Sequence, residues 1–245
     1  MRTVIISGAS SGIGEATAER FAQAGDHVVN LDIAPPRKDA PGEWIETDVA
    51  DWAAVGSAVT RVHDERGRLD VVIANAGVSV RNGVLELTEE QARRTTSVNL
   101  LGVLALWQAA ARVMVGRKEG VLLATASVNG LRGYPFYADY NATKAGVAAL
   151  CRTFAMELSP YVRAACVSPG AVLTPMQLAE YTETMLAETN RQIPAGRHAA
   201  PAEIAEAFFY LASPAASFLT GQELVIDGGE TAGATTSAFG RGGLS

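Results

Sequence analysis

Residues 3–15 read TVIISGASSGIGE, and this stretch decides the fold. It begins with an apolar run from Thr3 to Ser7 of the kind that forms a short buried strand. Three glycines follow before a helical pattern starts at Glu15. Glycines let the backbone approach a phosphate closely, and the N-terminus of the next helix offers unpaired N–H groups and a positive dipole end. The stretch therefore predicts a nucleotide phosphate site at the first strand–helix turn.

Working outward, short apolar runs alternate with longer helical segments along the chain. Six further runs read as strands: 28–32, 44–47, 70–74, 121–126, 162–167 and 224–226. Most of them lack polar alternation, which is typical of parallel strands covered by helices on both faces. We expect an α/β fold: one Rossmann-like domain over residues 1–245, with a single doubly wound, parallel, seven-stranded sheet.

Local signals place several helix starts and two irregular segments. Asp51 reads as an N-cap, Thr88 with Gln91 as a capping box, and Pro201 as a first-turn residue. The segment 174–196 carries Leu178, Tyr181 and Met185 at helical spacing, which predicts a short helix acting as a lid. The Gly/Ser/Thr-rich segment 228–245 reads as a tail.

Composition excludes several classes of function. The chain has 245 residues, a formal charge of −6 and 48% hydrophobic residues, which is typical of a soluble domain and argues against nucleic acid or anionic lipid as a partner. The most apolar stretch, 98–115, is interrupted by polar residues and predicts a buried helix rather than a membrane span. Two cysteines and three scattered histidines predict no metal site. A short apolar N-terminus without signal-peptide pattern favours the cytoplasm.

The first group of candidate residues would hold a cofactor. Gly8, Ser10, Ser11, Gly12, Ile13 and Gly14 form the glycine turn. Asp32, followed by Ile33, ends the second strand eighteen residues after Gly14, where a carboxylate can accept from both hydroxyls of an adenosine ribose. A 2′-phosphate would meet Asp32 as a like charge, and the glycine turn contains no basic residue. We therefore expect NAD, with NADP less favoured.

The second group would carry acid–base chemistry. Tyr140 and Lys144 are four residues apart on a predicted helix and so share one face. The rival phenol, Tyr137, lies two helical turns from Lys144, about 10.5 Å at the rise of a helix. A cation about 4 Å from a phenol contributes about 4 kcal/mol at an effective dielectric of about 20, nearly the amount needed to bring its pKa towards neutrality. Ser127 at the end of the fifth strand could hold a substrate oxygen.

With these residues in place, the chain resembles the short-chain dehydrogenase/reductase family from Thr3 to about Gly229. The glycine turn is similar to the family's Thr-Gly-x-x-x-Gly-Ile-Gly with Ser7 for Thr, and residues 74–77 are similar to its Asn-Asn-Ala-Gly with Ala74 for the first Asn. By resemblance the catalytic tetrad is Asn99, Ser127, Tyr140 and Lys144. Further cofactor contacts implied in the same way are Asp48, Val49, Asn75, Ala76, Gly77, Pro169, Gly170, Val172 and Thr174.

The resemblance implies an NAD-dependent oxidoreductase that transfers a hydride between nicotinamide and a secondary alcohol or ketone. Tyr140 would exchange the proton, Lys144 would lower the pKa of that phenol and bind the nicotinamide ribose, and Asn99 would support a proton-relay water. A 3-oxoacyl-thioester reductase is one alternative. A non-catalytic NAD-binding regulatory protein is another, and a methyltransferase would leave Tyr140 and Lys144 unexplained.

The substrate is less determined by the sequence. Aromatic and apolar residues before the catalytic helix and in the lid predict a largely apolar pocket for a small molecule: Tyr134, Phe136, Tyr137, Met176, Leu178 and Tyr181. Arg81 or Arg132, each in a loop after a strand, could bind an anionic substrate group. The resemblance also implies a homotetramer, in which the tail residues Phe239 and Leu244 would pack on a neighbouring subunit.

Overall fold

The computed structural model describes residues 1–233, which contain one seven-stranded parallel sheet. The strand order is β3-β2-β1-β4-β5-β6-β7, so the prediction of a doubly wound parallel sheet is confirmed. The strand bounds are β1 Thr3–Ser7, β2 His27–Asp32, β3 Glu43–Glu46, β4 Val71–Ala74, β5 Gly120–Thr125, β6 Val162–Pro169 and β7 Gln222–Ile226.

Eight α-helices accompany these strands in the described part of the chain. Their bounds are α1 Gly12–Gln23, α2 Trp52–Arg66, α3 Glu89–Thr96, α4 Gly102–Arg117, α5 Ala138–Leu158, α6 Pro175–Glu180, α7 Glu183–Gln192 and α8 Pro201–Leu211. Helices α2, α4 and α5 cover one face of the sheet through one apolar cluster. Helices α1 and α8 cover the other face through a second cluster. The strands are therefore buried on both faces, which explains their continuous apolar runs.

The predicted helix starts are observed. Asp51 accepts from the N–H groups of Ala53 and Ala54 at the start of α2. Thr88 and Gln91 form the reciprocal capping box of α3. Pro201 occupies the first turn of α8. Asp51 and Thr88 satisfy backbone N–H groups that a helix start leaves unpaired. Pro201 instead lacks the N–H that would be unpaired in a first turn.

The long apolar helix has an irregular centre. Helices α3 and α4 are joined by a π-helical segment, Ser97–Leu101, into one helix from Glu89 to Arg117. By length and composition this helix could cross a membrane, but half of its most apolar window is buried inside the protein, as in the core helix of a globular fold. Trp107 at its centre is fully buried and its indole N–H donates to the Leu123 carbonyl at 3.1 Å.

The segment 174–196 forms two short helices rather than one. Tyr181 has extended backbone between α6 and α7, so the spacing of Leu178, Tyr181 and Met185 does not belong to one continuous helix. Neither helix has a fully buried residue, and Thr174 and Thr182 cap their N-termini. The prediction of a single helix here was wrong because each cap makes its own helix start. Whether the segment moves as a lid stays a prediction.

Candidate active site

The candidate site lies between β1 and β4, where the order of the strands reverses: β2 and β3 follow β1 on one side, and β4 to β7 lie on the other. In doubly wound sheets, the crevice outside the carboxyl ends of the strands at this point binds ligands. Here the crevice is a cavity of about 400 Å³. Fourteen of the residues predicted for the site line it: Gly8, Ser11, Gly12, Ile13, Asp32, Ile33, Asp48, Val49, Asn75, Ala76, Gly77, Tyr140, Lys144 and Thr174.

Backbone conformation and close packing both require glycine in the turn after β1. Gly8 and Gly12 adopt left-handed backbone, with φ of 69° and 60°. A Cβ on Gly14 would lie 2.1 Å from the Gly8 carbonyl oxygen and 2.5 Å from Nδ2 of Asn75. Gly14 itself does not line the cavity, so its role is to let α1 begin directly against the turn. The helix start then faces the cleft.

Hydrogen bonds from Asn75 and Ser7 tie three strand ends together below the cleft. The Asn75 amide donates to the carbonyls of Ser7 and Gly8 at 3.2 and 3.0 Å and accepts from the Thr125 hydroxyl at 2.9 Å. The Ser7 hydroxyl accepts from the N–H groups of Asn75 and Ala76. The hydroxyl of residue 7 therefore holds the loop after β4 in place. Serine supplies this hydroxyl as threonine does, which explains why Ser7 can replace the threonine of the family motif.

Asp32 lies on the cleft wall at the end of β2. Its carboxylate accepts from the backbone N–H groups of Ser10 and Ala34, both at 3.0 Å. The Ser10 hydroxyl donates to the Ala34 carbonyl at 2.7 Å, so Ser10 stabilises the turn and does not line the cavity. The next basic residue after Asp32, Arg37, is paired with Glu15 and Glu19 and is also outside the cavity lining.

This donor set fits a nicotinamide dinucleotide. Gly8 in the turn and Gly12 at the start of α1 have no side chains, so a pyrophosphate could approach the helix N-terminus closely. The Asp32 carboxylate could accept hydrogen bonds from ribose hydroxyls. The same cavity reaches Tyr140 and Lys144 at its other end. A cofactor bound there would therefore extend from the end of β2 to the start of α5.

Tyr140 and Lys144 meet on one face of α5, as their spacing predicts. The Lys144 ammonium lies 5.4 Å from the centre of the Tyr140 ring and donates to the Thr125 carbonyl at 2.7 Å. Burial raises the pKa of Tyr140 to about 12, while the Ser127 hydroxyl lowers it and the charge of Glu180 raises it. Burial also lowers the pKa of Lys144 to about 8.

These pKa values correct one expectation. The expectation from the sequence rested on the attraction between ammonium and phenolate, whereas burial disfavours both charged forms. Burial is the largest influence on the pKa of Tyr140 and raises it, so the phenol is protonated at neutral pH.

Ser127 is held by a chain of amides behind the cleft. Its hydroxyl accepts from the Asn129 N–H at 3.1 Å and lies 3.3 Å from Asn129 Oδ1. The Asn129 side chain donates to Asn141 on α5 at 2.8 Å, and Asn141 donates to the Tyr134 carbonyl at 3.0 Å. The chain therefore links Ser127 to the helix that carries Tyr140. No sequence signal drew attention to Asn129 or Asn141.

Asn99 lies in the π-helical segment and is fully buried. Its side-chain amide donates to the Val78 carbonyl and accepts from the Val78 N–H, both at 2.8 Å. These two bonds hold the loop after β4 against the helix, and Asn99 does not line the cavity. Segments of π-helix are frequent at functional sites, and this one was not readable from the sequence.

The remaining predicted residues are placed around the cleft without lining it. Pro169 ends β6, and Gly170 allows close packing, because a Cβ there would lie 2.8 Å from Cβ of Asp227. Val172 belongs to the core and pairs with Ala199 in an isolated bridge. The cleft also contains residues that the sequence analysis did not assign to the cofactor: Leu31, Thr47, Ala50, Val78, Arg94, Ser97, Val98, Thr125, Pro175 and Met176.

Tyr137 has a different environment from Tyr140. Its hydroxyl donates to Glu180 Oε2 at 2.6 Å, and burial together with Glu180 raises its pKa. The two tyrosine rings are 6.1 Å apart. Tyr137 is therefore engaged with the end of α6, while Tyr140 faces Lys144 and the cleft.

Comparison with known proteins finds relatives over nearly the whole chain. The sequence model of a family described as enoyl-(acyl carrier protein) reductase matches residues 8–231. Cis-4-hydroxycyclohexanecarboxylate dehydrogenase of Sinomonas cyclohexanicum is 37% identical, covering 94% of this chain and 97% of its own. The 3-oxoacyl-(acyl-carrier-protein) reductase FabG of Thermotoga maritima is 35% identical, covering 93% and 97%.

A solved structure extends the likeness to the whole fold. Ligand-free aldohexose dehydrogenase of Thermoplasma acidophilum superposes with a TM-score of 0.92 at 30% identity, over 96% of each chain. The matches span nearly the full length of this chain and of the proteins compared, and those proteins are dehydrogenases and reductases. The chain belongs to the short-chain dehydrogenase/reductase family of oxidoreductases.

Proposed function

We propose that this protein transfers a hydride between NAD(H) and a secondary alcohol or ketone of a small, largely apolar molecule. The observation that carries the proposal is the placement of Tyr140 and Lys144 at one end of a cleft whose other end carries Asp32. Relatives named as dehydrogenases of a cyclic alcohol and of an aldohexose support alcohol–ketone chemistry.

The residues of this chain divide the work of such a reaction. When bound, the nicotinamide supplies the hydride acceptor or donor. Tyr140 accepts the hydroxyl proton of an alcohol during oxidation and returns it during reduction. Lys144 stabilises the phenolate by its charge, and Ser127 orients the substrate oxygen with its hydroxyl. Asn99 positions the loop after β4 through Val78 and, as we propose from the family resemblance, supports a water that relays the proton outward.

The cofactor preference is tested at Asp32. We expect a higher kcat/KM with NAD than with NADP, because a 2′-phosphate would meet the Asp32 carboxylate as a like charge. A charge-assisted hydrogen bond contributes about 1.5–3 kcal/mol, so Asp32→Ala should shift the ratio of the two kcat/KM values about 10- to 100-fold towards NADP. Asp39→Ala, in the exposed loop after β2, is the matched control. Equal or better use of NADP by the unaltered protein would contradict the assignment.

A 3-oxoacyl-thioester reductase remains the second candidate, favoured by the FabG relative and by the description of the family that matches. The two activities are separated by one panel in which NADH consumption is followed with cyclic ketones and with acetoacetyl thioesters. Preference for the thioester would favour the reductase. The absence of turnover with every member, together with tight NADH binding, would favour the non-catalytic NAD-binding protein.

Assembly as a homotetramer, which the family resemblance implies, is also part of the proposal. Apolar side chains exposed on α4, on α5 and just before β7 support it: Val115, Met156 and Phe218. The described start of the tail is held within the chain, since Arg132 donates to the carbonyls of Glu230 and Thr231. Phe239 and Leu244 lie outside the described residues. The two buried, unpaired cysteines, Cys151 and Cys166, suit the reducing cytoplasm that we propose as its location.

The tail is tested by truncation after Ala232. If it reaches across a subunit interface, the truncated protein should melt at least about 2–4 °C lower, the shift expected for about 1 kcal/mol in a chain of this size. Light scattering should show loss of tetramer towards dimer. An unchanged mass together with an unchanged melting temperature would contradict this role of the tail.

A further inference from the structure

Two loop arginines, Arg81 and Arg132, are candidates for binding an anion near the site. Their hydrogen-bond partners distinguish them. Arg132 uses both terminal nitrogens on backbone carbonyls of the C-terminal segment. Arg81 lies three residues beyond Val78, in the loop that follows β4 and carries Asn75 to Gly77. Among residues 1–233, the only hydrogen-bond contact of the Arg81 guanidinium is a weak one, from Nη1 to the sulfur of Met185 at 3.9 Å.

The Arg81 guanidinium is half-buried and has no oxygen acceptor within residues 1–233. Its Nε is buried without a hydrogen-bond partner within the described residues. No carboxylate oxygen of residues 1–233 forms an ion pair with it within 4.0 Å. Because buried donors in folded proteins are almost always satisfied, the unpaired Nε–H indicates an acceptor that residues 1–233 do not supply.

Three aromatic rings surround the Arg81 guanidinium. Its central carbon lies 4.9 Å from the ring centre of Phe136, 5.6 Å from Tyr181 and 5.9 Å from Tyr137. Phe136 has left-handed backbone, with φ of 71°, and its carbonyl accepts from the Asn82 N–H at 3.0 Å. The loop carrying Arg81 is thereby attached to the loop that leads into the catalytic helix.

This cluster lies beside the reacting end of the cleft. The Tyr137 ring contacts the Arg81 guanidinium on one side and lies 6.1 Å from the Tyr140 ring. One tyrosine ring therefore separates the unpaired positive charge from the proposed acid–base group. Arg81 does not line the cavity itself. A substrate with its carbinol carbon at Tyr140 would reach Arg81 through a substituent that extends past the Tyr137 ring.

We propose that Arg81 determines specificity by binding a carboxylate on the substrate, so that the substrate is a small apolar alcohol or ketone carrying one carboxylate. This proposal rests on the proposed function and names its substrate class. A planar guanidinium binds a carboxylate through two parallel hydrogen bonds. The surrounding Phe136, Tyr181 and Met185 suit a hydrocarbon skeleton. Arg81 has no second basic side chain among its contacts, which favours a single negative charge.

The lid offers a competing partner for Arg81 in Glu180. Glu180 accepts from the Tyr137 hydroxyl through Oε2, and its Oε1 is buried without a partner in the described residues. If a movement of α6 paired Glu180 with Arg81, the arginine would serve to close the lid instead of binding substrate. Glu180→Gln distinguishes the two roles, because only a lid latch requires the charge of Glu180.

The test compares 4-hydroxycyclohexanecarboxylate with its methyl ester, both assayed with NAD. The unaltered protein should prefer the acid. In Arg81→Met, kcat/KM for the acid should fall about 10- to 100-fold, the effect of losing charge-assisted hydrogen bonds, while that for the ester changes less than about 3-fold. The loss should lie mainly in KM. Arg81→Lys should recover part of the preference, and Arg132→Met and Glu180→Gln should keep it.

A binding measurement does not depend on turnover. Cyclohexanecarboxylate, which has no hydroxyl to oxidise, should bind to the NADH complex in calorimetry and should lose binding in Arg81→Met. The absence of binding to the unaltered protein, equal effects of Arg81→Met on acid and ester, or loss of the preference in Glu180→Gln would each overturn the proposal. Oxidation of neutral alcohols in preference to acids would overturn it and leave the proposed function standing. Failure with every alcohol and ketone, with the carboxylate still bound, would instead count against the proposed function alone.

Discussion

Tyr140→Phe should lower kcat by about 10²- to 10⁴-fold, the usual contribution of a positioned general acid or base, while NADH binds nearly as before. The change removes one oxygen and keeps the ring that packs beside Tyr137. Stopped-flow or steady-state assays in both reaction directions measure the loss. Fluorescence titration of NADH measures the binding.

Tyr137→Phe is the matched control for this prediction. Its hydroxyl donates to Glu180 at 2.6 Å, away from Lys144, so its loss leaves the proposed acid–base pair in place. We therefore expect kcat to fall by less than about 10-fold, below the range for loss of a general acid or base. If Tyr137→Phe abolished turnover and Tyr140→Phe did not, the assignment of the acid–base group would be wrong.

Lys144→Met should produce the second large effect. At 5.4 Å from the Tyr140 ring, a unit charge contributes about 3 kcal/mol at an effective dielectric of about 20, which corresponds to about 10² in kcat. The KM for NAD should also rise, because the ammonium is proposed to bind the nicotinamide ribose.

The pH dependence gives this prediction a direction. Burial raises the pKa of Tyr140. A cation beside a phenol favours the phenolate, and the Lys144 ammonium lies 5.4 Å from the Tyr140 ring centre. Removing the cation should therefore move the ascending limb of the alcohol-oxidation profile to higher pH. Lys144→Arg should restore part of the rate, and Lys118→Met, outside the cleft lining, is the matched control. An unchanged pH profile in Lys144→Met would contradict the electrostatic role.

The sequence was informative where local chemistry decides structure. The run from Thr3 to Ser7, the three glycines and the caps at Asp51 and Thr88 each act within a few residues, so the strands and helix starts could be predicted. The pairing of Tyr140 with Lys144 follows from the period of a helix. These signals place most of the cleft lining on the correct strand ends.

The sequence was less informative where the outcome depends on packing between distant segments. The bonds of Asn99 to Val78 and the amide chain from Ser127 through Asn129 to α5 connect segments that are distant in the sequence. Burial of Tyr140, which reverses the expected direction of its pKa in the absence of cofactor, is a property of the folded cleft.

The two arginines illustrate the same limit. Both Arg81 and Arg132 follow strands, and no local pattern tells them apart. The fold brings the carbonyls of Glu230 and Thr231 to Arg132 and surrounds Arg81 with aromatic rings instead. Their different roles therefore come from the return of the chain after β7 and from the position of α6 and α7.

The most direct test of the central proposal is isotope transfer from alcohols deuterated at the carbinol carbon. The protein is incubated with NAD and a panel of such alcohols, including 4-hydroxycyclohexanecarboxylate, and the reduced cofactor is analysed by mass spectrometry. We expect NADH that carries one deuterium with the unaltered protein, and at least about 10²-fold slower formation with Tyr140→Phe. Reduced cofactor without deuterium, or no reduction by any alcohol while NAD binds, would contradict the proposal.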